Sequence, residues 1–121
     1  MKTNKSVLIV DDSRLTRTMT ATIIKNHKPN WEITEACDGE QALKTVETKT
    51  FDVMTLDVNM PGIDGITLGI EMRSRFPDTY IALVTANIQE AIRERAKQAQ
   101  LLFIPKPITE ERILGFLNMV A

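Results

Sequence analysis

Five polar side chains stand where apolar runs end. Asp11 and Asp12 follow the run 7–10, Asp57 follows 53–56, Thr85 closes 80–84, and Lys106 comes just after 101–104. Together they would make a specific chemical set: three carboxylates, a hydroxyl and an ammonium. Two like charges ~4 Å apart repel by about 4 kcal/mol at an effective dielectric of about 20, so such a cluster needs a proton or a cation. Oxygen-only ligands select hard divalent ions. A site with few protein carboxylates suits Mg²⁺, which keeps waters and takes substrate phosphate oxygens. With Lys106 as a point charge and Thr85 as a short donor, the set suits a phosphoryl group: a carboxylate nucleophile, a metal on its oxygens, and a cation and hydroxyl for the remaining charge. Asp11 and Asp12 are adjacent and precede a helical stretch, which suits metal binding. Asp57 stands alone before Val58-Asn59-Met60-Pro61-Gly62. Pro-Gly signals a type II turn, which would fold this loop beside the cleft and leave the Asn59 carbonyl to face the metal. Asp57 is the expected nucleophile.

For these residues to meet, the chain must bring one end of every strand to one edge. Apolar, β-branched runs begin at Val7, Glu32, Val53, Tyr80 and Leu101, with helix-period stretches between them. Leu15, Met19 and Ile23 recur at helical spacing, as do Leu68, Met72 and Phe76, and Ile88, Ile92, Ala96 and Ala99. Leu43 and Val46 mark a short helix over about 39–49, and Ile113, Phe116, Leu117 and Val120 a last one after Thr109. Ser13 and Thr109 are expected caps, and Asn87 with Glu90 has capping-box spacing. Pro29 and Pro77 fall in the return loops. Strictly alternating strands and helices imply a parallel sheet with right-handed crossovers and helices on both faces. The first, third and fourth strands are nearly all apolar and read as central. The second is more polar and the fifth runs into Pro105, so both read as edges. The expected fold is α/β, a doubly wound, flavodoxin-like five-stranded parallel sheet of order 2-1-3-4-5 with its cleft between strands one and three.

Composition agrees with one such unit. The 121 residues are 43% hydrophobic and 26% charged, with a net charge of −1, which argues against a protein built mainly to grip nucleic acid or an anionic membrane. The single cysteine, Cys37, has no companion for a disulfide or a zinc site. No apolar run approaches the ~20 residues of a membrane span, and the run 7–10 is too short for a signal peptide. The expectation is one domain over 1–121, cytoplasmic, ending with its fifth helix and acting by docking on other proteins.

The motifs VDD at Val10 to Asp12, LDVNMPGIDG from Leu56 to Gly65, VTA at Val84 to Ala86 and KP at Lys106-Pro107 resemble those of a bacterial response-regulator receiver domain, the CheY-like family. The resemblance covers essentially the whole chain. Order 2-1-3-4-5 is a known property of that family, so fold and resemblance are not independent. The resemblance implies a phosphorylation-switched module of a two-component system, not a conventional enzyme. Asp57 would accept a phosphoryl group from a phosphohistidine on a sensor histidine kinase or a histidine phosphotransfer protein. Asp11, Asp12, Asp57 and the Asn59 carbonyl would hold Mg²⁺ or Mn²⁺, and Lys106 would pair with phosphoryl oxygens. Thr85 would swing toward the phosphoryl group, Ala86 would leave room above it, and the rotamer of Phe103 would report the movement to the helix 4, strand 5, helix 5 face. A monomer is implied, with dimerisation after phosphorylation as an option. Asn59 and Asn87 match positions that tune dephosphorylation. The sequence departs from the pattern at Ala99-Gln100-Leu101, where many receivers have Gly-Ala, and in the prolines on both sides of Lys106.

Plainer readings exist for each residue. Asp11 and Asp12 would suit a helix cap, Lys106 a solvated loop, His27 a helix end, Cys37 a small filler, and the methionines the core. A Mg²⁺-dependent phosphatase of haloacid-dehalogenase type would need an acid two residues after Asp57, where Asn59 stands. A degenerate receiver that never takes phosphate would not need the intact set. No glycine-rich nucleotide loop of either common kind occurs. Co-location of the five residues is what separates the functional reading from the plain ones.

Overall fold

In the computed structural model, which describes residues 4–87 and 89–120, strands and helices alternate without exception. The order is β1 (Ser6–Val10), α1 (Arg14–His27), β2 (Glu32–Ala36), α2 (Gly39–Thr45), β3 (Val53–Asp57), α3 (Gly65–Arg75), β4 (Tyr80–Thr85), α4 (Glu90–Gln98), β5 (Leu102–Pro105) and α5 (Glu110–Leu117). All strand pairs are parallel and the sheet order is β2-β1-β3-β4-β5. The polar strand β2 and the proline-ended β5 are the edges, as their composition predicts.

Side chains alternate across a strand, and this divides the core into two layers. Leu8, Val10, Met54, Leu56, Ile81 and Leu83 pack with Ala42 of α2, Ile66, Leu68 and Met72 of α3 and Ala96 of α4. Val7, Ile9, Val53, Ala82, Val84 and Ile104 pack with Ile24 of α1 and Ile113, Phe116 and Leu117 of α5. Full burial of each such aliphatic side chain contributes about 1.5–3 kcal/mol, and Val7 to Val10 are all buried. That is why a five-residue strand needs no polar alternation.

Four helices start on a side-chain cap, each worth about 1 kcal/mol. Ser13 accepts from the Thr16 N–H, Asp38 from Gln41, Asp64 from Thr67 and Thr109 from Arg112. The capping box expected of Asn87 and Glu90 does not form: α4 starts on Gln89, which makes no side-chain cap. The Asn87 carboxamide instead accepts the Gln89 N–H, closing a turn one step ahead of the helix.

Other expectations shift. The stripe Leu15–Met19–Ile23 has the period of α1 but not its phase. Leu15 is 70% and Met19 41% exposed, and the helix buries Thr20 and Ile24 instead. A buried threonine hid the true stripe. Helix α2 stops at Thr45, earlier than 49, and β5 begins at Leu102, one residue later than expected. Cys37 is exposed rather than a filler, and Met119 is exposed while Met54, Met60 and Met72 are core. Ile88 lies outside the described residues.

Candidate functional site

The strand-end residues converge. Asp11 and Asp57 have the strand parity of the α1/α5 layer and lie just past its apolar side chains; both are buried to 3% exposure. One carboxylate oxygen each from Asp11, Asp12 and Asp57 lie within 4.8 Å of one another, with Asp12 the exposed member. The Lys106 ammonium, reaching in from beyond β5, lies 3.2 Å from Asp57 Oδ1 and 3.7 Å from Asp11 Oδ2. One cation therefore faces a cluster of three carboxylates.

Burial first, and this crowding second, show in the titration of Asp57 and Asp11. Burial, then the neighbouring Asp11 carboxylate, push the Asp57 carboxyl up to about 6, against the opposing pull of Lys106 and the Asn59 N–H. Asp11 is raised as well, again chiefly by burial, although the Ser13 N–H donates to its Oδ1 at 2.8 Å. The donor set is all oxygen, close together and short of positive charge. It fits a small hard divalent ion that completes its shell with water and phosphate.

Backbone approaches hold the cluster. The Val58 N–H donates to the Val84 carbonyl at 3.1 Å and the Gly65 N–H to the Val58 carbonyl at 3.1 Å, which fastens the loop after Asp57 on both sides. The Lys106 N–H donates to the Thr85 carbonyl at 2.8 Å, tying the end of β5 to the end of β4. Gly62 has φ +79°, the left-handed residue that a Pro-Gly type II turn requires, and the Lys106-Pro107 bond is cis.

Thr85 is fully buried at the neighbouring strand end. Its parity is opposite to that of Asp57: with Leu83 it belongs to the α3/α4 side. Its Oγ1 accepts the Asn87 N–H at 3.0 Å. Phe103 shares that side, half-buried against the α2/α3/α4 layer, with the Arg93 guanidinium 4.9 Å from its ring centre. Ala86 is exposed beside Lys106 in an open groove that Thr16, Met19, Pro107 and Ile108 also line. Asn59 is exposed, and its N–H makes only a long 3.4 Å contact to Asp57 Oδ1. Asp11, Asp12, Asp57 and Lys106 thus meet at one point, and Thr85 and Phe103 share the opposite strand parity.

Sequence reading missed two supports. The Arg17 guanidinium donates to the Asp11 carbonyl at 2.7 Å and to Glu35 at 3.0 Å, clamping the exit of β1 to β2. Gly65 closes the motif that begins at Leu56, and a Cβ there would come 2.2 Å from the Asp57 carbonyl oxygen. Neither role leaves a mark in residue spacing.

A family model described as the response regulator receiver domain matches residues 7–118. The chain is 32% identical to the chemotaxis protein CheY of Listeria monocytogenes over 95% of this chain and 97% of the relative. It is 34% identical to CheY of Thermotoga maritima, over 97% and 98% of the two chains. A protein-glutamate methylesterase/protein-glutamine glutaminase of Vibrio cholerae is 38% identical over 84% of this chain, which spans only 28% of that relative's length. The solved structure of Vibrio cholerae chemotaxis protein CheY4 superposes with a TM-score of 0.86 at 29% identity, covering 96% of this chain and 98% of the other. The chain belongs to the response regulator receiver domain family.

Proposed function

We propose that Asp57 is the phosphoacceptor of this receiver, with Asp11, Asp12, Asp57 and the Asn59 backbone carbonyl as the metal ligands and Lys106 and Thr85 as partners of the phosphoryl group. The donor is a phosphohistidine on a sensor histidine kinase or histidine phosphotransfer protein. A carboxylate oxygen of Asp57 attacks phosphorus, the O–P bond forms as the N–P bond breaks, and the departing imidazole nitrogen takes up a proton. Mg²⁺ or Mn²⁺, when bound, supplies positive charge for the phosphoryl oxygens and for the carboxylates. Lys106 already holds the carboxylate oxygen and adds charge without reorganising. Thr85 supplies a hydroxyl donor from the next strand end, and the exposed Ala86 leaves the approach open. The product is a switch rather than a conventional enzyme, a cytoplasmic protein that signals by docking through the face of α4, β5 and α5, where Phe103 sits.

The observation that carries this reading is Asp57 itself: buried, between a carboxylate that raises its pKa and an ammonium 3.2 Å away. Incubation with acetyl phosphate and Mg²⁺, followed by intact mass measurement, is expected to show an alkali-labile gain of one phosphoryl group that is absent from Asp57→Asn. A gain that persists in that variant overturns the assignment. Metal binding has its own readout without phosphate. Mg²⁺ at about ten times its dissociation constant stabilises by about 1.4 kcal/mol, so it should raise Tm, and Asp12→Ala should abolish the rise.

A further inference from the structure

Asp12 is the odd member of the carboxylate cluster. Asp11 and Asp57 are buried, and each is held by partners: the Ser13 N–H and Lys106 on Asp11, Lys106 and the Asn59 N–H on Asp57. Asp12 is exposed, and among the described residues no hydrogen bond or ion pair holds its carboxylate. Even so, one of its oxygens lies within 4.8 Å of an oxygen from each of the other two. The backbone that carries Asp12 must therefore aim it.

Arg17 pins that backbone. It stands in the first turn of α1, where its N–H donates to the Ser13 carbonyl at 3.0 Å. Its guanidinium reaches back over the loop: Nη1 donates to the Asp11 carbonyl at 2.7 Å and Nε to Glu35 Oε1 at 3.0 Å. A peptide unit is planar, so a fixed Asp11 carbonyl oxygen fixes the plane that also contains the nitrogen and Cα of Asp12. The other side of Asp11 is tied as well, its N–H donating to the Ala36 carbonyl at 3.2 Å. Glu35 stands on β2 in register with Ile9 of β1, so one rigid fork joins α1, the end of β1 and β2. A lysine ammonium has no such fork. The Arg17 side chain is 15% and that of Glu35 42% exposed, and an ion pair this open contributes little to stability. Charge alone argues against a role in cation binding, because a guanidinium beside the site repels a divalent ion. Geometry is what this pair supplies.

We propose that Arg17 is a positioning residue for divalent cation binding: with Glu35 locking its plane, it holds the peptide between Asp11 and Asp12 so that the unsupported Asp12 carboxylate faces the other two. The inference rests on the reading of Asp11, Asp12 and Asp57 as metal ligands. It adds what aims the exposed member of that set.

Titration of the metal-free protein with Mn²⁺, with the free ion followed by its electron paramagnetic resonance signal, tests it, alongside thermal melts of the same proteins under chelation. Arg17→Met keeps the apolar stem and loses the fork. It should bind Mn²⁺ about tenfold more weakly, the size of effect usual for groups that hold a metal ligand in place. Glu35→Gln keeps an oxygen for Arg17 Nε and should retain the wild-type affinity, whereas Glu35→Ala frees the guanidinium and should weaken binding. An effect of charge would give the opposite pattern: Arg17→Met would bind more tightly, and both Glu35 variants would weaken alike. Should the melts show that Arg17→Met does not fold, the contrast between the two Glu35 variants carries the test alone. Wild-type or tighter affinity in Arg17→Met overturns the proposal, as does equal affinity in Glu35→Gln and Glu35→Ala. A lower Tm under chelation with Mn²⁺ affinity unchanged makes Arg17 a clamp of the fold only, and overturns it too. A wild type that binds no Mn²⁺ removes the metal-ligand reading itself, and the proposal with it.

Discussion

A β-carbon built on Gly65 would lie 2.2 Å from the Asp57 carbonyl oxygen and 2.7 Å from its carbonyl carbon. The first residue of α3 therefore rests directly on the backbone of the proposed phosphoacceptor. The contact is with main chain, which cannot swing aside as a flexible side chain would. Gly65→Ala must move either α3 or the end of β3, and overpacking of this kind costs about 1–3 kcal/mol or more. The expected result is a lower urea midpoint, together with slower labelling of Asp57 by acetyl phosphate. Gly115 is the internal comparison. It is exposed in α5 with nothing within 4 Å of an added Cβ, so Gly115→Ala should gain about 0.5–1 kcal/mol from helix propensity. Equal effects of the two substitutions would show that the close approach to Asp57 has no mechanical consequence.

The charge cluster predicts a pH dependence of stability in metal-free solution. In the unfolded chain Asp57 titrates near its ordinary value of 3.8; in the folded protein it titrates near 6. Between these pH values the folded state binds more protons than the unfolded state, so stability falls as pH rises and the loss is complete above about 6. A shift of this size is worth about 2–3 kcal/mol. Asp57→Asn carries no such group. With a chelator present, the variant should be more stable than the wild type at pH 7 and should lose most of that advantage near pH 3.5. Saturating Mg²⁺ should narrow the difference at pH 7, because the cation removes the repulsion in the wild type. A variant less stable than wild type at pH 7 under chelation would mean that Lys106 more than offsets the burial of Asp57.

Some of this was legible in the residue order because it depends on periodicity and on where runs stop. The four apolar residues of β1 are buried on both faces, and a strand so covered has to be central. Asp11, Asp57 and Lys106 could be brought together on paper because parallel strands share an edge for their ends. The phase of α1 was not legible: Thr20 is buried at 3% while Leu15 is 70% exposed, and period alone cannot say which stripe faces the sheet. The start of α4 was misread for a related reason. Asn87 and Glu90 have the spacing of a capping box, but the Thr85 hydroxyl takes the Asn87 N–H and moves the turn back before the helix. Arg17, Gly65 and Arg73 act on backbone carbonyls or close approaches of other elements. Such roles exist only once the fold has brought those atoms near.

Gln100 offers a test of how firmly α4 is anchored. It holds φ +60° at the position after the helix where glycine is usual, and a left-handed conformation costs an L-residue about 1–2 kcal/mol. Glycine avoids that cost but loses about 0.5–1 kcal/mol through its freer unfolded chain. Gln100→Gly should therefore raise stability by about 0.5–1 kcal/mol, the difference between those two effects. Arg73 of α3 bonds the carbonyl of Gln100 and not its side chain, so that tie survives the substitution, and amide hydrogen exchange at 99–101 should slow in proportion to the gain. Gln100→Val, β-branched at positive φ, should shift stability the other way. Thermal melts of the three proteins give the order directly. A glycine variant less stable than wild type would mean that the Gln100 side chain holds the turn, which would move the fixed point of α4 from Arg73 to Gln100 itself.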